Sequence, residues 1–217
     1  MMQITIREPG SAITHFIAMM LAVFASTPLL IKTAVSDSSV AFTAMVIFML
    51  SMISLYGASA LYHSVVVKDR MLRIFRKIDH MMIFVLIAGS YTPVCLIVLD
   101  KDSGYMLFGI VWTIAVVGMV IKAVWITCPK WFSSILYIAM GWVCLGVFGP
   151  LWHTLPHSAF LWLLAGGVIY TAGGIIYALK LPVFNSRHRY FGSHEIFHLF
   201  VMGGSICHFI FMYLYVA

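Results

Sequence analysis

Residues 192–217 read GSHEIFHLFVMGGSICHFIFMYLYVA, and this stretch decides the fold class. Its last nineteen residues contain no Asp, Glu, Lys or Arg, so they suit the hydrocarbon core of a bilayer. The stretch nevertheless opens with His194, Glu195 and His198, polar groups that are costly to bury in an apolar medium. It therefore predicts a transmembrane helix that begins at a polar site.

The composition of the whole chain also indicates an integral membrane protein. Of its 217 residues, 63% are hydrophobic and 9% are charged, against about 25% charged residues in a typical soluble domain. Backbone groups in lipid must bond within their own segment, and continuous apolar runs exclude a barrel. We therefore predict one domain, an all-α bundle of seven transmembrane helices. The predicted spans lie at about 14–35, 40–66, 78–99, 104–125, 132–151, 158–180 and 193–216.

Most basic residues lie in the loops at one end of these spans. Short cytoplasmic loops carry an excess of Lys and Arg, so the N-terminus is predicted in the cytoplasm and the C-terminus outside. The net charge of +6 is thereby explained by orientation, and no nucleic acid is expected. The basic segment 68–77 fits either a loop or a short interfacial helix. Eleven of the thirteen basic residues lie at the predicted cytoplasmic end: Arg7, Lys68, Arg70, Arg73, Arg76, Lys77, Lys122, Lys130, Lys180, Arg187 and Arg189.

Three spans deliver polar residues to this same end. Ser59 and His63 are four residues apart at the end of span 2, so they share one helix face. Span 3 opens with Asp79, and span 7 opens with His194 and His198 at the same i, i+4 spacing. Because an Asp in a span costs about 2.5–3.5 kcal/mol even on insertion scales, intramembrane polar residues usually mark function. The sequence predicts that these side chains form one site.

Three histidines are the ligand set of a catalytic zinc ion, whose fourth position is left to water. We predict a Zn²⁺ ion held by His63, His194 and His198. Zinc lowers the pKa of its water to about 7, Asp79 is placed to take a proton, and Ser59 is placed to donate to an attacked carbonyl. The alternative is an ordinary wet helix end, where His and Asp contact only water or headgroups.

The remaining histidines are expected to lie beside this site or away from it. His15 in span 1 is on the same side and is a candidate to support the ligands. His80 is expected to point about 100° away from Asp79 around the helix, and His208 to lie about 15 Å deeper than His198.

The stretch HEIFH also fits the H-E-x-x-H motif, in which two histidines bind zinc and the glutamate acts as base. Two observations argue against such a protease. No acidic residue follows Glu195, and the metzincin extension would require Gly and His where the chain has Val201 and Gly204. Glu195 is expected to face the cytoplasm or to support the ligands from beside them.

Five stretches along most of the chain carry a family resemblance: REPGSAITH, SALYHS, KIDHMMIFVLIAGSYTPVCL, YIAMGW and HEIFHLFVMGGSICHFIFMYLY. They resemble the hemolysin III proteins, the bacterial branch of the progestin and adipoQ receptor family. The resemblance implies seven spans in a bacterial inner membrane. It also implies zinc on His63, His194 and His198, with Asp79 and Ser59 beside the bound water.

The resemblance further implies a function. The receptor branch and the related alkaline ceramidases use such sites on lipid amides, which suggests a hydrolase of a membrane-lipid amide or ester with a role in lipid homeostasis. Membrane lipids are the expected partners. Two other functions stay open, a non-enzymatic sensor of membrane state with structural zinc and a cytolytic protein. The sequence also leaves open whether the chain forms a homo-oligomer.

Overall fold

The computed structural model describes residues 6–179 and 192–217, and its regular elements there are all helical. Seven of the described helices are long and apolar enough to cross a membrane, which confirms the predicted all-α bundle of seven spans. They are α1 (Pro9–Ala34), α2 (Ser39–Ser64), α3 (Asp69–Val98), α4 (Lys101–Val124), α5 (Lys130–Thr154), α6 (His157–Leu179) and α7 (Ser193–Val216).

Several helices begin earlier than their apolar runs. Pro9 starts α1, where its missing N–H costs no helical hydrogen bond. The Ser38 side chain caps α2 by accepting a hydrogen bond of 3.2 Å from the Ala41 N–H. Helix α3 begins at Asp69, so the basic segment 68–77 is neither a loop nor a separate helix but forms the first turns of a span.

Three spans depart from regular α geometry. After Pro93, which cannot donate to the helical ladder, α3 continues as a π-helical turn over Val94–Val98. Helix α5 is regular to Gly141, passes through a 3₁₀ turn at Val143–Val147 and resumes over Phe148–Thr154. Helix α7 ends in a second π-helical turn, Met212–Val216. All three irregular turns lie in the half of the bundle that the charge count predicts to face outward.

The helix contacts bring the two ends of the chain together. Helix α2 packs between α1 and α3, α6 packs along α7, and α1 also contacts α7. Helix α5 contacts α3, α4 and α6. The approach of α2 and α3 depends on a glycine, because a Cβ at Gly89 would lie 2.2 Å from Ser51 Oγ. The first turns of α1 and α7 thus lie beside the last turn of α2.

The outer surface of the bundle is apolar. Phe16, Leu21, Phe24 and Ile31 on α1 are all more than half exposed. So much exposed apolar surface suits lipid rather than water. Which end faces the cytoplasm stays a prediction from the charge count, and three of the counted residues, Lys180, Arg187 and Arg189, lie outside the described residues.

Candidate metal centre

The three predicted ligands lie together at one end of the bundle. His63 belongs to the last turn of α2, and His194 and His198 belong to the first two turns of α7. Each ring offers one nitrogen, and the three nitrogens lie within 4.8 Å of one another. The fold therefore brings together imidazoles that are up to 135 positions apart in the sequence.

The geometry of this group suits a metal ion. Two nitrogens bound at about 2.0–2.1 Å to a tetrahedral zinc ion lie about 3.4 Å apart. The Nε2 atoms of His63 and His194 are 3.2 Å apart. His63 and His198 are buried, and converging nitrogen lone pairs are unfavourable unless a proton or a cation lies between them. The group could hold a metal, and imidazole ligands are among those that zinc prefers.

Glu8 is a site residue that the sequence patterns do not reveal. Its carboxylate accepts a hydrogen bond from Nδ1 of His63, and its backbone N–H donates to the His63 carbonyl over 3.0 Å. This hydrogen bond with His63, helped by the nearby charge of Arg7, holds the pKa of Glu8 below its ordinary value despite partial burial. With its proton on Nδ1, the His63 ring presents the lone pair of Nε2 to the cluster.

Thr14 plays the same part for His198. The Thr14 hydroxyl donates its hydrogen bond to the carbonyl oxygens of Gly10 and Ser11, which lie 2.9 and 3.0 Å away. Its oxygen is 3.3 Å from Nδ1 of His198 and can accept a hydrogen bond from that nitrogen. Two of the three rings are therefore held by α1 or by the residue before it. Nδ1 of His194 has no hydrogen-bond partner among the described residues.

His15 lies against the cluster, on the side of α1. Its ring stacks on the ring of His198 with centroids 3.6 Å apart and planes 9° apart, and it meets the ring of Tyr56 edge-on. Both ring nitrogens of His15 are buried and without a hydrogen bond in the described part of the chain. His15 therefore contacts a predicted ligand directly, and its nitrogens are left for a ligand or for water.

Asp79 and Ser59 line a cavity together with His194 and His198. Asp79 and Ser59 are both buried. His80 is expected about 100° away from Asp79 around the helix, and the structure adds a contact between the two side chains: Nδ1 of His80 is 3.3 Å from Asp79 Oδ2. The two Cα–Cβ bonds do diverge around the helix, but the imidazole is long enough to reach back to its neighbour's carboxylate.

Glu195 makes structural contacts that differ from those of an H-E-x-x-H base. One carboxylate oxygen accepts a hydrogen bond of 2.6 Å from the Ser11 hydroxyl, and the other accepts one of 2.8 Å from the Gly192 N–H. The first contact joins α1 to α7, and the second caps the start of α7. Glu195 is not among the described residues that line the cavity.

The cavity has a volume of about 160 Å³ and a mainly apolar lining. It begins at His194 and His198 and passes between the helices toward the opposite end of the bundle, where Leu151 and Phe160 line it. His198 and His208 both line it and are ten residues apart on α7, so it extends at least about 15 Å along that helix. A long, narrow and apolar space therefore ends at a cluster of polar groups.

Comparison with known proteins identifies the family. A family model described as Haemolysin-III related matches residues 3–209. The chain belongs to the haemolysin III family. The protein named Hemolysin-3 of Bacillus cereus is 35% identical over 216 residues, which cover 100% of this chain and 94% of that relative. The Hemolysin-3 homolog of Bacillus subtilis (strain 168) is 37% identical over 202 residues, covering 93% of this chain and 91% of that relative.

A more distant relative connects the haemolysin III family to eukaryotic proteins. The ADIPOR-like receptor IZH2 of Saccharomyces cerevisiae is 32% identical over 79 residues, which cover 35% of this chain and 24% of that relative. The bacterial relatives and the seven apolar helices together make this haemolysin III protein a multi-pass bacterial membrane protein. The family match spans the site from Glu8 to His198.

Proposed function

We propose that this protein is a zinc-dependent hydrolase that cleaves an amide or ester bond of a membrane lipid and so contributes to membrane lipid homeostasis. One observation carries the proposal: Asp79, Ser59, His194 and His198 line one end of a single apolar cavity, and His63 joins the two histidines in a cluster of converging nitrogens. Apolar cavities that end in a few convergent polar groups are typical of small-molecule sites.

His63, His194 and His198 hold the ion in this proposal. When bound, zinc supplies Lewis acidity, which polarises a carbonyl and lowers the pKa of water at the site to about 7. Glu8 and Thr14 keep the protons of two of the rings on Nδ1, so that the opposite nitrogens face the ion. They also fix the ring orientations before a substrate arrives.

Asp79 and Ser59 carry out the proton transfer and the hydrogen bonding. The Asp79 carboxylate takes a proton from the attacking water and returns it to the leaving nitrogen or oxygen. His80, with Nδ1 at 3.3 Å, restricts the orientation of this carboxylate. The Ser59 hydroxyl lines the cavity, where it donates to the substrate carbonyl oxygen as negative charge develops there.

The apolar part of the cavity selects the substrate. Its lining offers few hydrogen bonds beyond the polar end, so the favourable occupant is a hydrocarbon chain. With the chain in place, bulk water is displaced from the space next to the reacting carbonyl, which strengthens the electrostatic contacts there. The scissile bond would then lie close to the predicted inner headgroup level, where a lipid presents it.

Metal removal tests this proposal. Purified protein in lipid nanodiscs is treated with a chelator, and release of free fatty acid from lipid amides and esters is measured beside thermal unfolding. We expect turnover to stop while the protein stays folded, and to return when zinc is added back. An untreated, zinc-loaded protein that releases no fatty acid from any lipid of such a panel would contradict the hydrolase.

The Glu8→Ala variant is expected to bind zinc about ten- to a hundredfold more weakly, because loss of the carboxylate frees the His63 ring to change tautomer and orientation. Zinc affinity is measured by competition with a fluorescent chelator. Asp102→Ala, which removes an exposed carboxylate in the first turn of α4, is the control and should leave the affinity unchanged. Equal affinity of the Glu8 variant and the wild type would show that Glu8 does not position His63.

A non-enzymatic sensor is the second candidate, and one observation favours it. The histidine cluster joins α2 to α7, so an ion there would also clamp these two helices, and the hydrogen bond from Ser11 to Glu195 holds α1 against α7 beside it. In a sensor of this kind, chelation would lower the melting temperature, and the untreated protein would hydrolyse no lipid.

The names of the two Bacillus relatives refer to haemolysis, which raises a cytolytic function as a further alternative. Lysis of erythrocytes by purified protein at physiological dose would support it.

A further inference from the structure

A second polar cluster lies apart from the histidines, where α4 and α5 meet the loop between them. It consists of Lys122 in the last turn of α4, Cys128 in the loop and Ser133 in the first turn of α5. All three side chains are buried, and Lys122 is only 1% exposed. None of them lines the cavity of the candidate metal centre.

The Lys122 side chain is directed into this cluster. Its Nζ donates hydrogen bonds to Ser133 Oγ and, over 3.1 Å, to Cys128 Sγ. The Cys128 sulfur is also 3.3 Å from Ser133 Oγ, so the three groups contact one another pairwise. The ring of Tyr137 lies 5.7 Å from the ammonium, a distance at which its face adds only a weak attraction.

A buried ammonium needs a counter-charge, and the described residues offer no carboxylate for it. Ion pairs with acidic side chains involve other residues in the described part of the chain, and none includes Lys122. Leaving a charge buried and unpaired would cost several kcal/mol. The group in contact that can become an anion is the thiol of Cys128, because Ser133 is not ionised at neutral pH.

We propose that Cys128 is a thiolate paired with Lys122, and that it is a site of oxidation by hydroperoxides. The thiolate sulfur attacks one oxygen of hydrogen peroxide, the O–O bond breaks, and the products are a cysteine sulfenic acid and hydroxide, which a proton from solvent converts to water. Sulfur is oxidised and peroxide is reduced, so no further reactant is needed.

The charges around the sulfur support a thiolate. Burial alone would raise the pKa of the Cys128 thiol, but the hydrogen bonds of Ser133 and Lys122 and the charges of Lys122 and Arg76 outweigh it and bring the pKa below its ordinary value. The phenol of Tyr137 and the lysine Lys77, whose Nζ donates to the Ala123 carbonyl, also lie near this cluster, and neither supplies a negative charge at physiological pH. The other three cysteines, Cys95, Cys144 and Cys207, have no such cationic partner among the described residues.

The test measures the oxidation of each cysteine in the full-length protein. The protein in nanodiscs is treated with hydrogen peroxide and dimedone, which traps sulfenic acid, and peptides are quantified by mass spectrometry between pH 6 and 9. An ordinary thiol of pKa about 8.5 is only about 3% ionised at pH 7. A fully ionised Cys128 should therefore react about tenfold faster at pH 7 than in the Lys122→Met variant, after allowing for its lower nucleophilicity. Its rate should also be nearly independent of pH.

Two further variants keep the result interpretable. Lys122→Arg preserves the charge and should keep the fast, pH-independent reaction, whereas Lys68→Met removes an exposed lysine and should change nothing. The pH profile of the wild type decides the matter even if the Lys122→Met variant fails to fold. A wild-type rate that rises with pH as for an ordinary thiol, or no adduct at Cys128, would overturn the proposal.

Discussion

Replacing His194 and His198 together with alanine is expected to remove the metal from the purified protein. The wild type should carry about one zinc ion per chain, as a site with three protein ligands requires, and the double variant should carry almost none. The reason is geometric, since the variant keeps only His63, and a single imidazole does not hold zinc against water. Elemental analysis of both proteins, purified without chelating resins, measures the difference directly.

The chain supplies a matched control for this experiment. His153 and His157 have the same i, i+4 spacing, but α5 ends at Thr154 and α6 begins at His157, so a helix boundary separates them. Both are exposed and lie at the other end of the bundle. The His153→Ala, His157→Ala variant should keep its metal. A full complement of zinc in the first variant, with its fold confirmed by thermal unfolding, would exclude the histidine cluster as the binding site.

The sequence predicted the parts of the molecule that depend on local pattern. Each span follows from an apolar run of sufficient length, which is a property of neighbouring residues. The meeting of His63 with His194 and His198 follows from two further facts. Successive spans alternate in direction, so span 2 ends where span 7 begins, and a spacing of four residues puts both histidines of α7 on one face.

The parts that the sequence did not predict depend on how helices lie against one another. Glu8 and Thr14 reach His63 and His198 only because α1 packs against both α2 and α7, and no spacing in the sequence reports that contact. Glu8 lies before the first apolar run, so its charge is expected to be in water, and the residue does not stand out as a candidate for the site. The burial of Lys122 was missed for a related reason, because a lysine near a loop predicts an exposed charge rather than a partner.

The Asp79→Asn variant is expected to keep its metal and to lose lipid hydrolysis by about 10²- to 10⁴-fold, the usual contribution of a general acid or base. The asparagine side chain has nearly the same shape as the aspartate it replaces, so the cavity and the three histidines should be undisturbed. An amide cannot accept a proton from water at neutral pH, however, so the proton transfer is lost. Turnover is measured as fatty acid released from nanodisc lipids, with zinc content determined on the same samples.

A control variant at a second carboxylate of the same helix shows whether turnover is lost because a proton acceptor is missing or only because a negative charge is missing. Asp69 is exposed in the first turn of α3, and Asp69→Asn removes one negative charge from the same end of the same helix. This variant should retain both zinc and full turnover. Loss of zinc from the Asp79 variant would mean that the carboxylate acts on metal binding, whereas full turnover would assign the proton transfer to another group. Asp79 is buried in the cavity beside the histidines, and this placement is why the two aspartates are expected to differ.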